Sequence, residues 1–152
     1  GIDPWCVSKP RRRKPVVVAI EGICWTAGIE LMLNADISIA ATNARFAHLE
    51  VLRGISPAGG STVRFTRAAG WTAAMRYMLT GEEFDATAAL HMRLLTEVVA
   101  PGQTLARAIE YAECIAKAAA GLRPKRGAAA RGDLRIRETM RHCRRLMNNC
   151  WP

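Results

Sequence analysis

Residues 19–37, AIEGICWTAGIELMLNADI, carry the signals of a strand, a turn, a helix and a second strand in one stretch. A run of β-branched residues from Val16 to Ile20 leads into this stretch, and its lack of alternation is typical of a strand buried on both faces. Gly22 ends that strand. The segment AGIELMLN, residues 27–34, favours a helix, and ISIAA, residues 37–41, is the next β-branched run. This order predicts an α/β fold built from short buried strands followed by helices.

The same alternation continues towards the carboxyl end. We predict a strand at 44–47, a helix after Gly60, a helix at 71–79, a short helix capped by Asp85 and running to His91, a strand at 94–99 and a long amphipathic helix at 103–120. The expected organisation is a basic lead-in loop at 1–13, a core domain at 14–120 and a basic, atypical tail at 121–152.

Composition and charge argue against a nucleic-acid-binding or membrane protein. The chain has 152 residues, half of them hydrophobic, and a net charge of +9 that is concentrated at its two ends. Charge runs of this kind are more often solvated faces than binding sites, so nucleic acid is not an expected partner. There is no apolar stretch of membrane-spanning length and no signal segment. We therefore expect a cytoplasmic protein without a membrane partner.

The cysteines and histidines give no sign of a metal site. Five cysteines are present, an odd number, and no C-x-x-C pair occurs among them. They are interpreted as reduced thiols. His91 and His142 show no spacing that suggests metal ligation, and His48 is interpreted as a residue that shapes a pocket.

Two stretches place a carboxylate beside small, turn-forming residues. In the first, a strand leads through Ala27 and Gly28 into a helix whose first-turn N–H groups lack intrahelical partners and can bind an oxyanion. Glu30 lies one turn inside. Taken alone, an acidic residue in the first turn is an ordinary stabilising feature worth a few tenths to ~1 kcal/mol.

The second stretch is ARFAHLEVLRGISPAGGSTVR, residues 44–64. It contains Glu50 after a short strand, which alone is typical of a solvated carboxylate. Gly59 and Gly60 precede the next helix. They either bring its backbone close to a site or provide a turn with positive φ.

From Lys14 to about Ala120 the chain resembles the crotonase superfamily, the enoyl-CoA hydratase and isomerase fold. The positions that match in order and spacing are Lys14-Pro15, Gly22, Ala27-Gly28, Glu30-Leu31, Asp36-Ile37, Ala44-Arg45-Phe46, Glu50, Gly54, Pro57, Gly59-Gly60, Arg64, Thr80-Gly81, Asp85-Ala86 and Leu94 to Val99. The resemblance implies a crotonase-like fold of spiral ββα units. It also implies that this fold is incomplete, with the amino-terminal half of the usual domain missing.

The resemblance implies roles for individual residues. The backbone N–H of Ala27, at a position where Gly is usual, would belong to an oxyanion hole. Glu30 and Glu50 match the two acidic positions that activate water and exchange a proton beside the thioester carbonyl. The residues expected to contact substrate are Trp25, Gly28, His48, Pro57, Gly59 and Gly60. No metal is expected, and no cofactor beyond the coenzyme A of the substrate.

The expected function is therefore that of an enoyl-CoA hydratase-like lyase acting on an acyl-CoA thioester. An enoyl-CoA isomerase or another crotonase-type enzyme is the first alternative, and a non-catalytic basic binding or oligomerisation module is the second. The family implies a homo-oligomer, a trimer or a dimer of trimers. Because the second oxyanion donor and most coenzyme A contacts belong to the missing half, we expect the isolated chain to be inactive or nearly so.

Overall fold

The structure, a computed structural model, describes residues 3–9, 12 and 14–119. The tail predicted at 121–152 lies outside the described residues. Within them the elements, in chain order, are β1 Val17–Ile20, β2 Ile23–Trp25, α1 Ala27–Asn34, β3 Ile37–Ala41, β4 Arg45–Ala47, a short 3-10 helix Val51–Arg53, α2 Ser61–Ala69, α3 Trp71–Thr80, β5 Phe84–Asp85, α4 Ala86–His91, β6 Glu97–Val99 and α5 Thr104–Ala119.

The strands form two small sheets. The first has the order β1-β3-β6 and is parallel throughout. In the second, of order β2-β4-β5, β2 and β4 are parallel whereas β5 runs antiparallel to β4. Parallel strands joined through helices confirm the α/β prediction, since such pairs need a crossover connection.

Most of the predicted elements are present, and two short strands, β2 and β5, were not predicted. β2 has only three residues, and Ile23 on it is largely exposed, so neither length nor apolar pattern distinguishes it from the turn after Gly22. Its pairing with β4 makes it a strand. The strand expected at 94–99 is confined to its last three residues. The cap of α4 is confirmed, because Ala88 N donates a hydrogen bond of 2.7 Å to the carboxylate of Asp85.

An aromatic cluster joins the second sheet to α2 and α3. The ring of Phe84 lies 5.4 Å from Phe46, 6.0 Å from Phe65 and 4.5 Å from Tyr77, measured between centroids. All four residues are buried. Aromatic pairs at these separations add stability beyond the area that they bury. The cluster therefore fixes β4 and the start of α2, the two elements that lead to and follow the loop containing Glu50.

α5 covers the first sheet, packing on β1 and β3. Its start is held by Glu21, whose carboxylate accepts hydrogen bonds from Gly102 N at 2.9 Å and from Thr104 Oγ1 at 2.7 Å. Further along, Leu105 and Ile109 stay exposed. The helix is thus well anchored at its beginning, while part of its apolar surface faces solvent.

Candidate active site

The two glutamates singled out from the sequence follow neighbouring parallel strands. Trp25, the last residue of β2, is paired with Ala47, the last residue of β4, and Thr26 N donates to Ala47 O at 2.9 Å. The chain runs from β2 into α1, which carries Glu30, and from β4 into the loop that carries Glu50. Because parallel strands end at the same edge of a sheet, both carboxylates are carried to one edge.

The start of α1 presents backbone donors. Thr26 has a φ of 47°, a left-handed conformation that is uncommon for a residue other than glycine, and its side chain makes no capping hydrogen bond. Within the described part of the chain, no group accepts a hydrogen bond from the N–H of Ala27, and this residue is exposed. The first turn of α1 therefore offers N–H groups and the positive end of the helix dipole to a ligand.

Glu30 is buried and held by three donors that converge on one oxygen. Its Oε1 accepts hydrogen bonds from Gly59 N at 2.7 Å, Ser61 N at 3.3 Å and Ser61 Oγ at 3.2 Å. Only 5% of Glu30 is exposed, and Ser61 is fully buried. Hydrogen bonds to a charged acceptor are stronger than neutral ones, so they fix Oε1 in place. Among the described residues, none donates to Oε2.

Gly59 and Gly60 serve different purposes. A Cβ atom on Gly59 would lie 2.6 Å from Oε2 of Glu30 and 2.6 Å from Cδ1 of Trp5, so this position requires glycine for close approach. Gly60 instead has a φ of 97°, a backbone conformation that favours glycine. Arg64, one of the positions that match the family, supports this loop, because its Nη1 donates to Gly59 O at 2.7 Å.

Glu50 lies beside His48 in an almost fully enclosed position. Glu50 is 6% exposed and His48 is 1% exposed, and Nδ1 of the histidine is 3.4 Å from Oε2 of the glutamate. This contact is not aligned as a hydrogen bond, and within the described residues Oε2 and both ring nitrogens have no hydrogen-bond partner. The ring of His48 packs against Phe65 at 5.1 Å between centroids.

The electrostatic surroundings of Glu50 favour its charged form. Burial raises the pKa of this carboxyl, but the neighbouring His48 imidazole and the backbone N–H of Glu50 itself outweigh burial and leave the pKa below its ordinary value. Glu50 is therefore a carboxylate at neutral pH.

The remaining candidates from the sequence lie near these groups without bonding to the carboxylates. Trp25 ends β2, and its buried indole nitrogen has no hydrogen-bond partner in the described part of the structure. A Cβ on Gly28 would lie 3.2 Å from Cys24 Sγ, which shows that α1 starts close against β2. Pro57 is half-buried in the loop before Gly59.

Sequence reasoning missed two residues of this region. Ser61 was recognised only as part of a helix start, although a hydroxyl at the first position of α2 could have suggested a partner for a nearby carboxylate. Trp5 was assigned to the lead-in loop. Its contact with Gly59 joins residues more than fifty positions apart, and no spacing in the sequence indicates it.

Two kinds of feature, metal-ligand clusters and helices of membrane-spanning character, are absent from the described residues. They contain no group of three or more His, Cys, Asp or Glu side chains that could hold a metal ion. None of the helices that the structure describes has both the length and the apolar character needed to span a bilayer.

Known proteins that are similar to this chain in sequence are hydratases of coenzyme A thioesters or carry that family's name. The sequence profile described as enoyl-CoA hydratase/isomerase matches residues 10–131. A mevalonyl-coenzyme A hydratase of Aspergillus fumigatus is 38% identical over 116 residues, which are 75% of this chain and 43% of that protein. A probable enoyl-CoA hydratase of Rhizobium meliloti is 35% identical over 139 residues, 90% of this chain and 54% of the relative. The chain thus spans about half the length of the curated relatives that it matches.

Solved structures give the same result for the fold. A probable enoyl-CoA hydratase/isomerase from Mycobacterium abscessus is 50% identical and superimposes with a TM-score of 0.75, covering 76% of this chain and 45% of that one. An enoyl-CoA hydratase/isomerase family protein from Hyphomonas neptunium is 34% identical with a TM-score of 0.65, covering 68% and 39%. The crotonase-like fold expected from the sequence is therefore confirmed. By its profile, its relatives and its fold, the chain belongs to the enoyl-CoA hydratase/isomerase family.

Proposed function

We propose that this chain carries the two-carboxylate site of an enoyl-CoA hydratase, which adds water across the C2–C3 double bond of a 2-enoyl-CoA thioester. The observation that carries the proposal is the pair of buried glutamates, Glu30 and Glu50, at one edge of a parallel strand pair and next to an uncapped helix start. Buried carboxylates are rare unless they have partners or a function.

The start of α1 would bind the thioester carbonyl. When water adds at C3, negative charge moves onto the carbonyl oxygen as the enolate forms. Ala27 is an exposed residue at the positive end of the helix, and its N–H has no partner among the described residues, so it can stabilise that charge. A second donor would come from the part of the family domain that this chain does not span.

The two glutamates would divide the proton transfers. One carboxylate takes a proton from water as the water oxygen bonds to C3, and a protonated carboxyl delivers a proton to C2 as the double bond becomes single. Water thereby contributes its hydroxyl to C3, and a proton is added at C2. Glu50 is charged at neutral pH and can accept a proton, whereas Glu30 is held by Gly59 and Ser61.

The test uses a chimera, because the 152-residue chain alone is expected to be inactive. Losing a single oxyanion donor costs ~10²- to 10³-fold in rate. Residues 14–119 would replace the matching segment of the Mycobacterium abscessus relative, which is 50% identical. Crotonyl-CoA hydration is measured for this protein and for its Glu30→Gln and Glu50→Gln variants.

We expect hydration by the chimera and a loss of ~10²- to 10⁴-fold in kcat for each glutamine variant, the usual contribution of a general acid or base. Glu83→Gln is the matched control, since Glu83 is exposed and pairs with Arg45 away from the site. A folded chimera without hydratase activity, or one whose activity survives both substitutions, contradicts the proposal. Conversion of a 3-enoyl-CoA into the 2-enoyl isomer in place of hydration would favour the isomerase.

A further inference from the structure

The lead-in segment before β1 is folded around the carboxylate of Asp3. One oxygen of Asp3 accepts a hydrogen bond from Trp5 N at 2.9 Å. The other accepts from Val7 N at 3.0 Å and from Ser8 N and Ser8 Oγ, both at 2.8 Å. Cys6 N also donates to Asp3 O at 3.0 Å. Three backbone N–H groups and one hydroxyl are thus held by the carboxylate of Asp3, which gives Trp5 a fixed position.

This folded segment is attached to both ends of α1. At the end of the helix, Asn34 Nδ2 donates to Pro4 O at 2.8 Å. At its start, the indole Nε1 of Trp5 donates to Ala27 O at 3.4 Å. The segment therefore lies along the helix that carries Glu30, with its aromatic residue at the end where Ala27 presents its N–H.

The indole of Trp5 forms one side of the candidate site. Its Cδ1 and the Oε2 of Glu30 each lie 2.6 Å from the point that a Cβ on Gly59 would occupy. The indole edge and the carboxylate therefore meet over the same face of Gly59. Trp5 is only half-buried, so part of its ring remains open to a ligand. A flat apolar surface thus stands beside a buried carboxylate and a backbone donor.

We propose that Trp5 contacts the acyl carbons of the thioester and determines which acyl groups the site accepts, with Asp3 as the residue that positions it. The inference rests on the proposed function. If Ala27 N–H binds the carbonyl oxygen and Glu30 acts at the C2–C3 bond, the indole beside both faces the acyl carbons next to that bond. An indole offers a large apolar contact at a small cost in side-chain entropy.

The experiment observes the indole N–H signals of the 152-residue chain by NMR. The chain has four tryptophans, and single Trp→Phe substitutions assign their signals. The ligands are coenzyme A, crotonyl-CoA and 2-decenoyl-CoA at millimolar concentration. We expect the Trp5 signal to shift with both enoyl thioesters and to stay in place with coenzyme A. Trp71, which is 63% exposed on α3, is the internal control and should not shift.

Binding affinities test the same point independently. Trp5→Ala should weaken binding of 2-decenoyl-CoA by about tenfold, corresponding to the loss of roughly 1.4 kcal/mol of apolar contact. Trp5→Phe should restore most of it, and Trp71→Ala should change nothing. Asp3→Ala should weaken binding in the same direction as Trp5→Ala and broaden the Trp5 signal before any ligand is added, as expected for a positioning residue.

The outcomes separate this inference from the proposed function. If the amides at the start of α1 shift with crotonyl-CoA while the Trp5 indole does not, the role of Trp5 is wrong and the thioester site stands. If Trp5→Ala binds 2-decenoyl-CoA as tightly as the unmodified chain, the inference is likewise overturned. If no signal responds to any thioester, the proposed site and the role of Trp5 both fall.

Discussion

The two sides of this molecule depart from the usual distribution of side chains in opposite ways. At the edge of the second sheet, the ionisable residues Glu30, His48 and Glu50 are buried. Along α5, the apolar residues Leu105 and Ile109 are 65% and 50% exposed. Buried charges cost free energy unless they are paired or hydrogen-bonded, and exposed apolar side chains favour association. We propose that the first departure belongs to a site for chemistry and that the second belongs to a surface for association between chains.

On the first side, only Glu30 is hydrogen-bonded within the described chain, and Glu50 and His48 keep buried polar atoms without partners. Glu30 has its donors in Gly59 and Ser61, and Glu50 lies against His48. The second side has a groove of about 220 Å³ between β1 and α5. Its lining residues are Pro15, Val17, Leu105, Ala108, Ile109, Ala112 and Ile115. Among the strands that the structure describes, β1 is also at the edge of its sheet. Unpaired edges beside apolar surface promote association between chains.

The largest effect is expected from Gly59→Ala, at the position that contacts the buried Glu30 carboxylate. A methyl group there would be 2.6 Å from both the Glu30 carboxylate and the Trp5 ring, so one or both must move. We expect a loss of ~1–3 kcal/mol in the free energy of unfolding. A displaced carboxylate should also reduce hydration by the chimera about 10²-fold.

Gly102→Ala is the control for this change. Gly102 has a φ of 82°, and a Cβ there would meet no other atom. The substitution therefore measures the cost of a methyl group on a strained backbone in the absence of crowding. Thermal unfolding and crotonyl-CoA kinetics are compared for both variants. Equal kinetics for Gly59→Ala and Gly102→Ala would show that close approach at Gly59 does not set the position of Glu30.

A smaller effect is expected on the contact side from the double substitution Leu105→Glu and Ile109→Glu. We expect the 152-residue chain to self-associate through this face and the double variant to associate at least about tenfold more weakly, because each buried aliphatic side chain contributes ~1.5–3 kcal/mol. Sedimentation velocity over a range of concentrations measures this. Leu79→Glu, at another exposed apolar position on α3, should leave association unchanged. Identical sedimentation of the double variant and the unmodified chain would contradict the assignment of this face.

The smallest effect is expected from His48→Gln, which tests whether the imidazole lowers the pKa of the Glu50 carboxyl. Removing the imidazole leaves burial to dominate, so the pKa of the Glu50 carboxyl should rise. A carboxyl whose pKa is lower in the folded than in the unfolded protein stabilises the fold at pH values above its unfolded pKa of 4.5. This stabilisation is lost as the pH falls through the pKa of the folded protein. In the variant, the loss should therefore occur at higher pH.

Carbon NMR titration of the glutamate carboxyl signals measures this pKa directly. His91→Gln, at an exposed position on α4, is the matched control. An unchanged Glu50 pKa in His48→Gln would show that the contact at 3.4 Å has no electrostatic effect.

The sequence predicted the elements whose signals are local. The helices from Ala27, Trp71 and Thr104 follow from apolar spacing, and the Asp85 cap follows from the preference of aspartate for that position. β2 was not predicted because three residues carry no periodic signal, and only its pairing with β4 makes it a strand.

The candidate site was predicted as a set of residues but not as an arrangement. The resemblance pointed to Glu30, Glu50 and Gly59, yet the hydrogen bonds from Gly59 and Ser61 to Glu30 join positions about thirty residues apart. The indole of Trp5 reaches Gly59 across an even longer separation. Contacts of this kind depend on how the sheet and helices pack, and nothing in the local sequence encodes them.

A double-variant cycle in the chimera tests most directly whether Glu30 and Glu50 act as one unit. Crotonyl-CoA hydration is measured for Glu30→Gln, Glu50→Gln and the variant with both substitutions. If the two carboxylates act on one water, removing the second after the first should cost little, and the double variant should be about as slow as the slower single one. If the two losses multiply in full, the glutamates act independently and the shared site is wrong.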